Sequence, residues 1–291
     1  MSPREYDESD ARIRPSRRTR PRSKDRPSHS DATTAFVITV DRGRTTCVTH
    51  DGIEVIAMKA RELGPQSVVV GDSVQLVGDL TGAVGSLARI VQVNERSNSL
   101  TRTVDDDANF ERTIVSNVDQ MLIVVAAANP EPRAGLIDRF LVSAYYESIT
   151  PIIVVTKVDL APLADFFSHY RELGISIIST SAKLENRSAE VAAIQKILEG
   201  KVSVLVGHSG VGKSTLINDL VESAARATGD VNDVTGRGRH TSSSALALPV
   251  HGGGWIIDTP GIRAFGLAHL DKERVQSIQE KLGIKPFEEE R

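Results

Sequence analysis

The sequence predicts an α/β protein, a mostly parallel sheet with helices on both faces preceded by a small antiparallel β-barrel. Three observations carry that expectation. Strand-like apolar runs near 121–127, 151–156, 175–179, 202–206 and 254–258 alternate with helix-like stretches near 134–147, 162–172, 188–198 and 213–225. Alternation of this kind builds a parallel sheet covered on both sides, with ligands at the carboxyl ends of the strands. A glycine-rich loop at 207–212 sits between one of those strands and one of those helices. Residues 35–103 instead hold short strands punctuated by turn signals.

From the amino terminus, residues 1–34 form an arm poor in apolar side chains, expected to be disordered in isolation. Residues 11–30 carry seven arginines and one lysine against one aspartate, although the chain of 291 residues has a net charge of only −3. Acidic Glu5, Asp7, Glu8 and Asp10 argue against a transit peptide, and the apolar core of a signal peptide is missing. Strands are then expected at 36–40, 46–49, 53–58, 73–77 and 88–93, separated by Asp51-Gly52, Gly71-Asp72, Gly78-Asp79 and Gly82. Short strands at this spacing argue for an OB-fold barrel over residues 35–103, whose common use is oligonucleotide binding. A barrel serving as a protein-contact module is the alternative, because Phe36 is the only aromatic residue of the stretch.

The loop Gly207-His208-Ser209-Gly210-Val211-Gly212-Lys213-Ser214 is a complete Walker A sequence in strand–loop–helix context, with Thr215 just inside the helix. Its glycines let backbone N–H groups turn inward onto phosphate oxygens at a helix N-terminus. Lys213 would reach the β- and γ-phosphates, and the Ser214 hydroxyl would ligate Mg²⁺. Thr156-Lys157-Val158-Asp159, after an apolar run, resembles the Asn-Lys-x-Asp guanine-recognition motif of GTPases, with Thr in place of Asn. A carboxylate there accepts from the N1 and 2-amino groups of guanine, donors that adenine lacks, and such pairing rejects the wrong partner by roughly 10⁴ or more. Ser181-Ala182-Lys183 resembles the loop whose backbone N–H meets the guanine carbonyl. Asp258-Thr259-Pro260-Gly261 supplies an aspartate for Mg²⁺, through water, and the Gly261 N–H for the γ-phosphate. Between them, Gly236-Arg237-Gly238-Arg239-His240-Thr241-Ser242 suits a first switch, with Thr241 expected on Mg²⁺ and the γ-phosphate and Ser242 in reserve. A further edge strand is expected near 245–250.

Ordinary GTPases run phosphate loop, switch, Asp-x-x-Gly, then base recognition. Here the base-recognition pieces come first, so residues 104–267 are expected to form a circularly permuted P-loop GTPase domain whose second switch leads straight into the C-terminal segment. This order resembles the RsgA (YjeQ) family. So do the loop at 207–215, Gly-Arg-Gly-Arg-His-Thr at 236–241, Asp-Thr-Pro-Gly-Ile-Arg-Ala-Phe-Gly-Leu at 258–267 and Asn117-Val118-Asp119-Gln120. The resemblance implies a cytoplasmic GTPase that hydrolyses GTP to GDP and phosphate, binds the small (30S) ribosomal subunit with its 16S rRNA, and acts in its late maturation. An OB-fold before the GTPase domain is implied as well. Nothing in the sequence suggests an obligate dimer, and a monomer is expected. In this setting the basic arm either neutralises rRNA phosphates or is a solvated tail with no partner.

Two departures bear on mechanism. Ile262 follows Gly261, where many GTPases place a Gln that orients the attacking water, so intrinsic hydrolysis is expected to be slow. The resemblance implies stimulation by the ribosomal subunit, and His240 is then the candidate to position water once the ribosome orders its loop. Completing such a site in trans accelerates turnover by roughly 10³–10⁵. An exposed histidine contacting RNA is the competing reading of His240. The family's C-terminal zinc module needs about three Cys and one His. Cys47 is the only cysteine of the chain, so zinc is not expected and an intramolecular disulfide is excluded. Residues 268–291 are instead expected to hold a short amphipathic helix from Asp271 to Leu282, with Val275, Ile278 and Leu282 on one face and Gly283 at its end. No window is long and apolar enough to span a membrane. Two function classes follow: a GTP hydrolase timing small-subunit assembly, or a nucleotide-dependent rRNA-binding module with little turnover. An unrelated ATPase or small-molecule kinase would need ATP preference in spite of Asp159.

Overall fold

The computed structural model describes residues 30–41, 43–64, 68–105, 108–161, 165–183, 187–228, 245–259, 267 and 270–287. The chain divides into two units, Met1–Ser30 and Asp31–Arg291, and the expected arm up to residue 29 lies outside the described residues.

Five strands build the barrel: β1 (Thr33–Asp41), β2 (Arg44–Thr49), β3 (Glu54–Lys59), β4 (Ser73–Gly78) and β5 (Ala88–Val93). β1 begins two residues ahead of the expected barrel, with Thr33 and Thr34 paired to Leu76 and Gln75, so these two are strand and not disordered arm. Alternate residues face inward, as a period of two requires, and Val37, Cys47, Val55, Ala57, Val74, Leu76 and Ile90 form the barrel core. The ring runs β1–β2–β3–β5–β4 and closes through β4 onto β1. It is not antiparallel throughout, as expected, because β3 and β5 run parallel. An odd number of strands cannot alternate direction around a closed ring, so one pair has to be parallel. Phe36 stacks on Trp255, ring centroids 5.1 Å apart, so the aromatic side chain of this stretch serves a contact inside the molecule.

A hairpin absent from the sequence reading follows, β6 (Ser99–Asp105) with β7 (Ala108–Ser116), and the expected boundary at 103/104 falls inside it. Beyond it come β8 (Gln120–Ala126), β9 (Thr150–Thr156), β10 (Ser176–Ser179), β11 (Val202–Val206), β12 (Leu246–Val250) and β13 (Gly254–Asp258). They are ordered β10-β9-β8-β11-β13-β12, parallel except for the antiparallel β12–β13 pair. Helices α1 (Ala134–Tyr146), α2 (Ser168–Glu172), α3 (Arg187–Leu198) and α4 (Lys213–Thr228) connect them. The helix expected over 162–172 is a 3-10 turn at Asp165–Phe167 followed by the single turn α2, and residues 162–164 lie outside the described residues.

β8 is buried along its whole length, and its alternate residues serve two cores. Met121, Ile123 and Val125 pack with Ile137, Phe140 and Leu141 of α1, while Leu122, Val124 and Ala126 pack with Ile194 of α3 and Leu216 of α4. From Met121 onward the strand is apolar, as a central parallel strand covered on both faces should be.

The Asn117-Val118-Asp119-Gln120 segment is the joint between barrel and sheet. The Asn117 amide donates to the Gly71 carbonyl (3.0 Å) and accepts from the Ser97 N–H (2.9 Å). Asp119 accepts from the Val202 N–H (2.8 Å), and the Gln120 amide donates to the Ser203 hydroxyl (2.9 Å). Beside it, the fully buried Asp72 carboxylate receives Arg96 (2.6 and 2.8 Å), the Ser116 hydroxyl (2.6 Å) and the Val69 N–H (2.8 Å). β1 also pairs with β12 at Thr39–Leu246, which makes barrel and sheet one hydrogen-bonded surface.

The C-terminal helix forms as expected, as α5 (Lys272–Leu282). Asp271 caps it by accepting from the Arg274 N–H (2.8 Å), and Gly283 ends it at φ +62°. Its Leu282 is buried, and Val275 and Ile278 pack against the core shared with α1. Arg274 lies over the Tyr146 ring at 4.2 Å and donates to the Tyr146 carbonyl (2.6 Å), which fastens α5 to the end of α1. Among the described residues no helix is long and apolar enough to cross a membrane.

Candidate nucleotide-binding site

The glycine-rich loop leaves the buried end of β11 and enters α4, the context the sequence predicts. Gly207 adopts φ +141° and passes so close to β8 that a Cβ would lie 2.2 Å from the Val124 carbonyl oxygen. Val211 is buried beneath the loop, while Ser209 and Gly210 are exposed at its crest. The His208 ring sits at the lip with Nδ1 2.8 Å from the Ser209 carbonyl. Lys213 folds back over the loop and donates to the carbonyls of Gly207 (2.7 Å) and His208 (2.9 Å). Ser214 and Thr215 are exposed in the first turn of α4.

Asp258 arrives from the neighbouring strand, because β13 pairs with β11 in a register that sets Leu205 opposite Asp258. Thr259 fixes the strand end, its hydroxyl donating to the Leu205 carbonyl (2.9 Å). Burial pushes the Asp258 carboxyl above the usual carboxylate range, opposed by the Lys213 charge and the Thr259 N–H. Burial likewise pushes the Lys213 ammonium below its ordinary value, opposed by Asp258. Each ion is disfavoured by desolvation and only partly compensated by the other. An anion beside Lys213 together with a hard cation beside Asp258 would satisfy both. Mg²⁺ takes oxygen ligands, and Ser214 and Asp258 offer a hydroxyl and a carboxylate.

The expected base-recognition residues converge on the same loop, although they lie some 50 positions upstream in the chain. Thr156 ends β9 and is buried; its hydroxyl donates to the Val211 carbonyl, with the Val125 carbonyl at 3.3 Å. Lys157 takes φ +56° and its ammonium donates to the carbonyls of Gly210 (2.7 Å) and Asn129. Val158 packs against the core, which holds the turn down. Asp159 accepts from the Ser181 hydroxyl, and its second oxygen lies 3.8 Å from the Lys183 ammonium. The Ser181 hydrogen bond, chiefly, holds the Asp159 carboxyl below its ordinary range, aided by the charges of Lys183 and Lys157. Ser181 is buried, whereas Ala182 and Lys183 form an exposed turn.

Three contributors were not foreseen. Asn129 supplies a carbonyl to Lys157; Glu190 of α3 accepts from the Ser181 N–H (3.1 Å); and Arg187, in the same turn, pairs with Asp219 of α4. None carries a motif, since each contact depends on how separate segments pack in the fold. The expected roles of His240, Thr241, Ser242, Gly261 and Ile262 fall outside the described residues.

A family model described as RsgA GTPase matches residues 93–268. The small ribosomal subunit biogenesis GTPase RsgA of Ectopseudomonas mendocina is 39% identical over 194 residues, which take in 65% of this chain and 55% of that protein. The protein of the same name from Chlorobaculum tepidum is 36% identical over 220 residues, covering 73% of this chain and 70% of that one. The chain therefore spans little more than half the length of the first of these relatives. The crystal structure of YjeQ from Thermotoga maritima is similar with a TM-score of 0.58 at 28% identity, over 82% of this chain and 77% of that one. YloQ, described as a circularly permuted GTPase, shares the fold with a TM-score of 0.60 at 22% identity, over 87% and 80% of the two chains.

Proposed function

The chain belongs to the RsgA GTPase family, and on that premise we propose that it binds GTP at this site and hydrolyses it to GDP and phosphate while acting on the small ribosomal subunit. One observation supports the nucleotide assignment: Thr156 and Lys157 hydrogen-bond to Val211 and Gly210, so the strand end read as base-recognising lies against the loop read as phosphate-binding. In this reading Asp159 accepts from the guanine N1 and 2-amino groups, and the loop N–H groups and Lys213 hold the phosphates. Ser214 and Asp258 hold Mg²⁺, which when bound neutralises charge that builds on the phosphate oxygens. Lys213 exchanges the Gly207 and His208 carbonyls for phosphate oxygens, so its ammonium is already aimed into the cradle. Thr241 and Gly261 complete the γ-phosphate contacts, and His240 positions the attacking water.

Ile262 cannot orient water, so unassisted turnover is slow and the 30S particle with its 16S rRNA stimulates it. Bound GTP then favours docking, and hydrolysis releases the protein. The basic arm adds salt-dependent affinity for rRNA phosphates. The protein works as a cytoplasmic monomer. Phosphate release measured with and without purified 30S particles tests this reading, and stimulation of at least roughly 10³-fold is expected. Binding to 30S particles without stimulated turnover would leave instead a nucleotide-dependent rRNA-binding module.

A further inference from the structure

We propose that Glu190 is a positioning residue for base specificity, holding Ser181 so that Asp159 presents its carboxylate squarely to the base. The inference rests on the guanine reading of the same pocket. Asp159 sits in a turn, and a carboxylate on a turn can rotate away from two donors held in one plane. Its constraint is the Ser181 hydroxyl. That hydroxyl accepts from the Lys183 N–H (3.1 Å), so its single proton is left to point at Asp159. Ser181, though, belongs to the loop between β10 and α3, and a loop serine needs its own anchor.

Glu190 is that anchor. Its carboxylate takes the Ser181 N–H at 3.1 Å, a charge-assisted hydrogen bond. The helix that carries it is fixed from below, because Val191, Ile194 and Leu198 are buried in the core shared with α4. Arg187, one turn earlier, pairs with Asp219 of α4, the helix that the phosphate loop opens. One turn of α3 therefore ties the Ser181 loop to α4.

An ordinary helix cap does not account for this contact. In a capping box the acidic side chain reaches back three residues to the first backbone N–H of its own helix. Glu190 reaches back nine residues, past the start of α3 at Arg187, to a residue that touches the base-reading aspartate.

The experiment compares binding of GDP with that of inosine diphosphate, whose base lacks the 2-amino donor, by calorimetry on the full chain. The wild-type protein should prefer GDP. In Glu190→Ala the ratio of the two affinities should fall roughly tenfold, the value of one hydrogen bond to a charged group. Glu190→Asp, a methylene too short to reach Ser181, should behave the same way and serves if the alanine variant does not fold. Glu190→Gln keeps an acceptor oxygen and should preserve the ratio. A merely structural role would weaken both nucleotides alike. Equal losses for the two nucleotides, an unchanged ratio in the alanine and aspartate variants, or a glutamine variant as impaired as the alanine one would each overturn the proposal. A wild-type protein without preference for GDP would instead overturn the guanine reading on which it rests.

Discussion

Gly207→Ala tests the tightest contact in the phosphate loop. A Cβ at this position would lie 2.2 Å from the Val124 carbonyl oxygen and 3.2 Å from its carbon. Those atoms are backbone of a central strand, and Val124 is 1% exposed, so no flexible side-chain end can swing aside. Overpacking of this kind costs about 1–3 kcal/mol. The positive φ of +141° adds a backbone penalty. Gly210→Ala separates the two terms, because Gly210 also has a positive φ, +79°, yet its nearest neighbour is Pro130 Cδ at 4.0 Å. Both variants carry a backbone penalty, and Gly207→Ala alone adds the clash. In a domain of this size 1 kcal/mol moves Tm by roughly 2–4 °C, so Gly207→Ala should melt roughly 2–12 °C below Gly210→Ala. Circular dichroism melts on the nucleotide-free proteins read the difference directly. Equal melting temperatures, or a lower one for Gly210→Ala, would show that β8 does not clamp the loop and would refute this reasoning.

Asp159→Asn exchanges an acceptor for a donor, so in a competition assay GTP should weaken by roughly 10- to 100-fold while XTP gains. Arg96→Met removes the cation from the fully buried Asp72 and should cost about 3 kcal/mol in urea unfolding, the lower end for a broken buried pair because Arg96 is 26% exposed. Cys47 is pushed by burial from 9.0 up to about 12, so between those values the unfolded chain releases the thiol proton while the fold retains it. The Cys47 contribution is constant below pH 9 and should fall by about 1.4 kcal/mol per pH unit above it, and Cys47→Ala should remove that part of the slope in urea midpoints measured from pH 8 to 10, below the range where Tyr170 adds its own.

The sequence made the sheet legible because β8, β9 and β11 carry near-continuous apolar runs, Met121–Ala126, Pro151–Val155 and Val204–Val206, as strands covered on both faces do. The phosphate loop was legible for a related reason, its glycines and Lys213 having a fixed spacing between one strand and one helix. The β6–β7 hairpin was not, since Thr101, Arg102 and Thr103 alternate without an apolar face and no glycine marks its turn. The parallel β3–β5 pair was missed because residue spacing reports strand length and not strand direction. The partner of Phe36, the one aromatic residue expected in the barrel, was not legible, because only the fold brings Trp255 against it. Glu190 and Asn129 were invisible for the deeper reason that they contribute through a carboxylate and a carbonyl whose partners only tertiary structure chooses.

The strand order also gives the pocket a direction. The residues proposed to read the base follow β9 and β10, on the far side of the sheet from the barrel, whereas Asp258 ends β13, the neighbour of β12. β12 in turn pairs with β1 of the barrel, and the Phe36–Trp255 stack bridges β1 and β13. From β13 the chain runs on to α5, which is fastened to α1 by Arg274 on Tyr146. The C-terminal helix also reaches the opposite side of the sheet, because the His169 ring of α2, the helix between β9 and β10, lies 3.2 Å from the Leu282 carbonyl oxygen. Permutation makes that arrangement possible, because the strand carrying Asp258 becomes the last of the sheet and is left to connect the site to what lies beyond it.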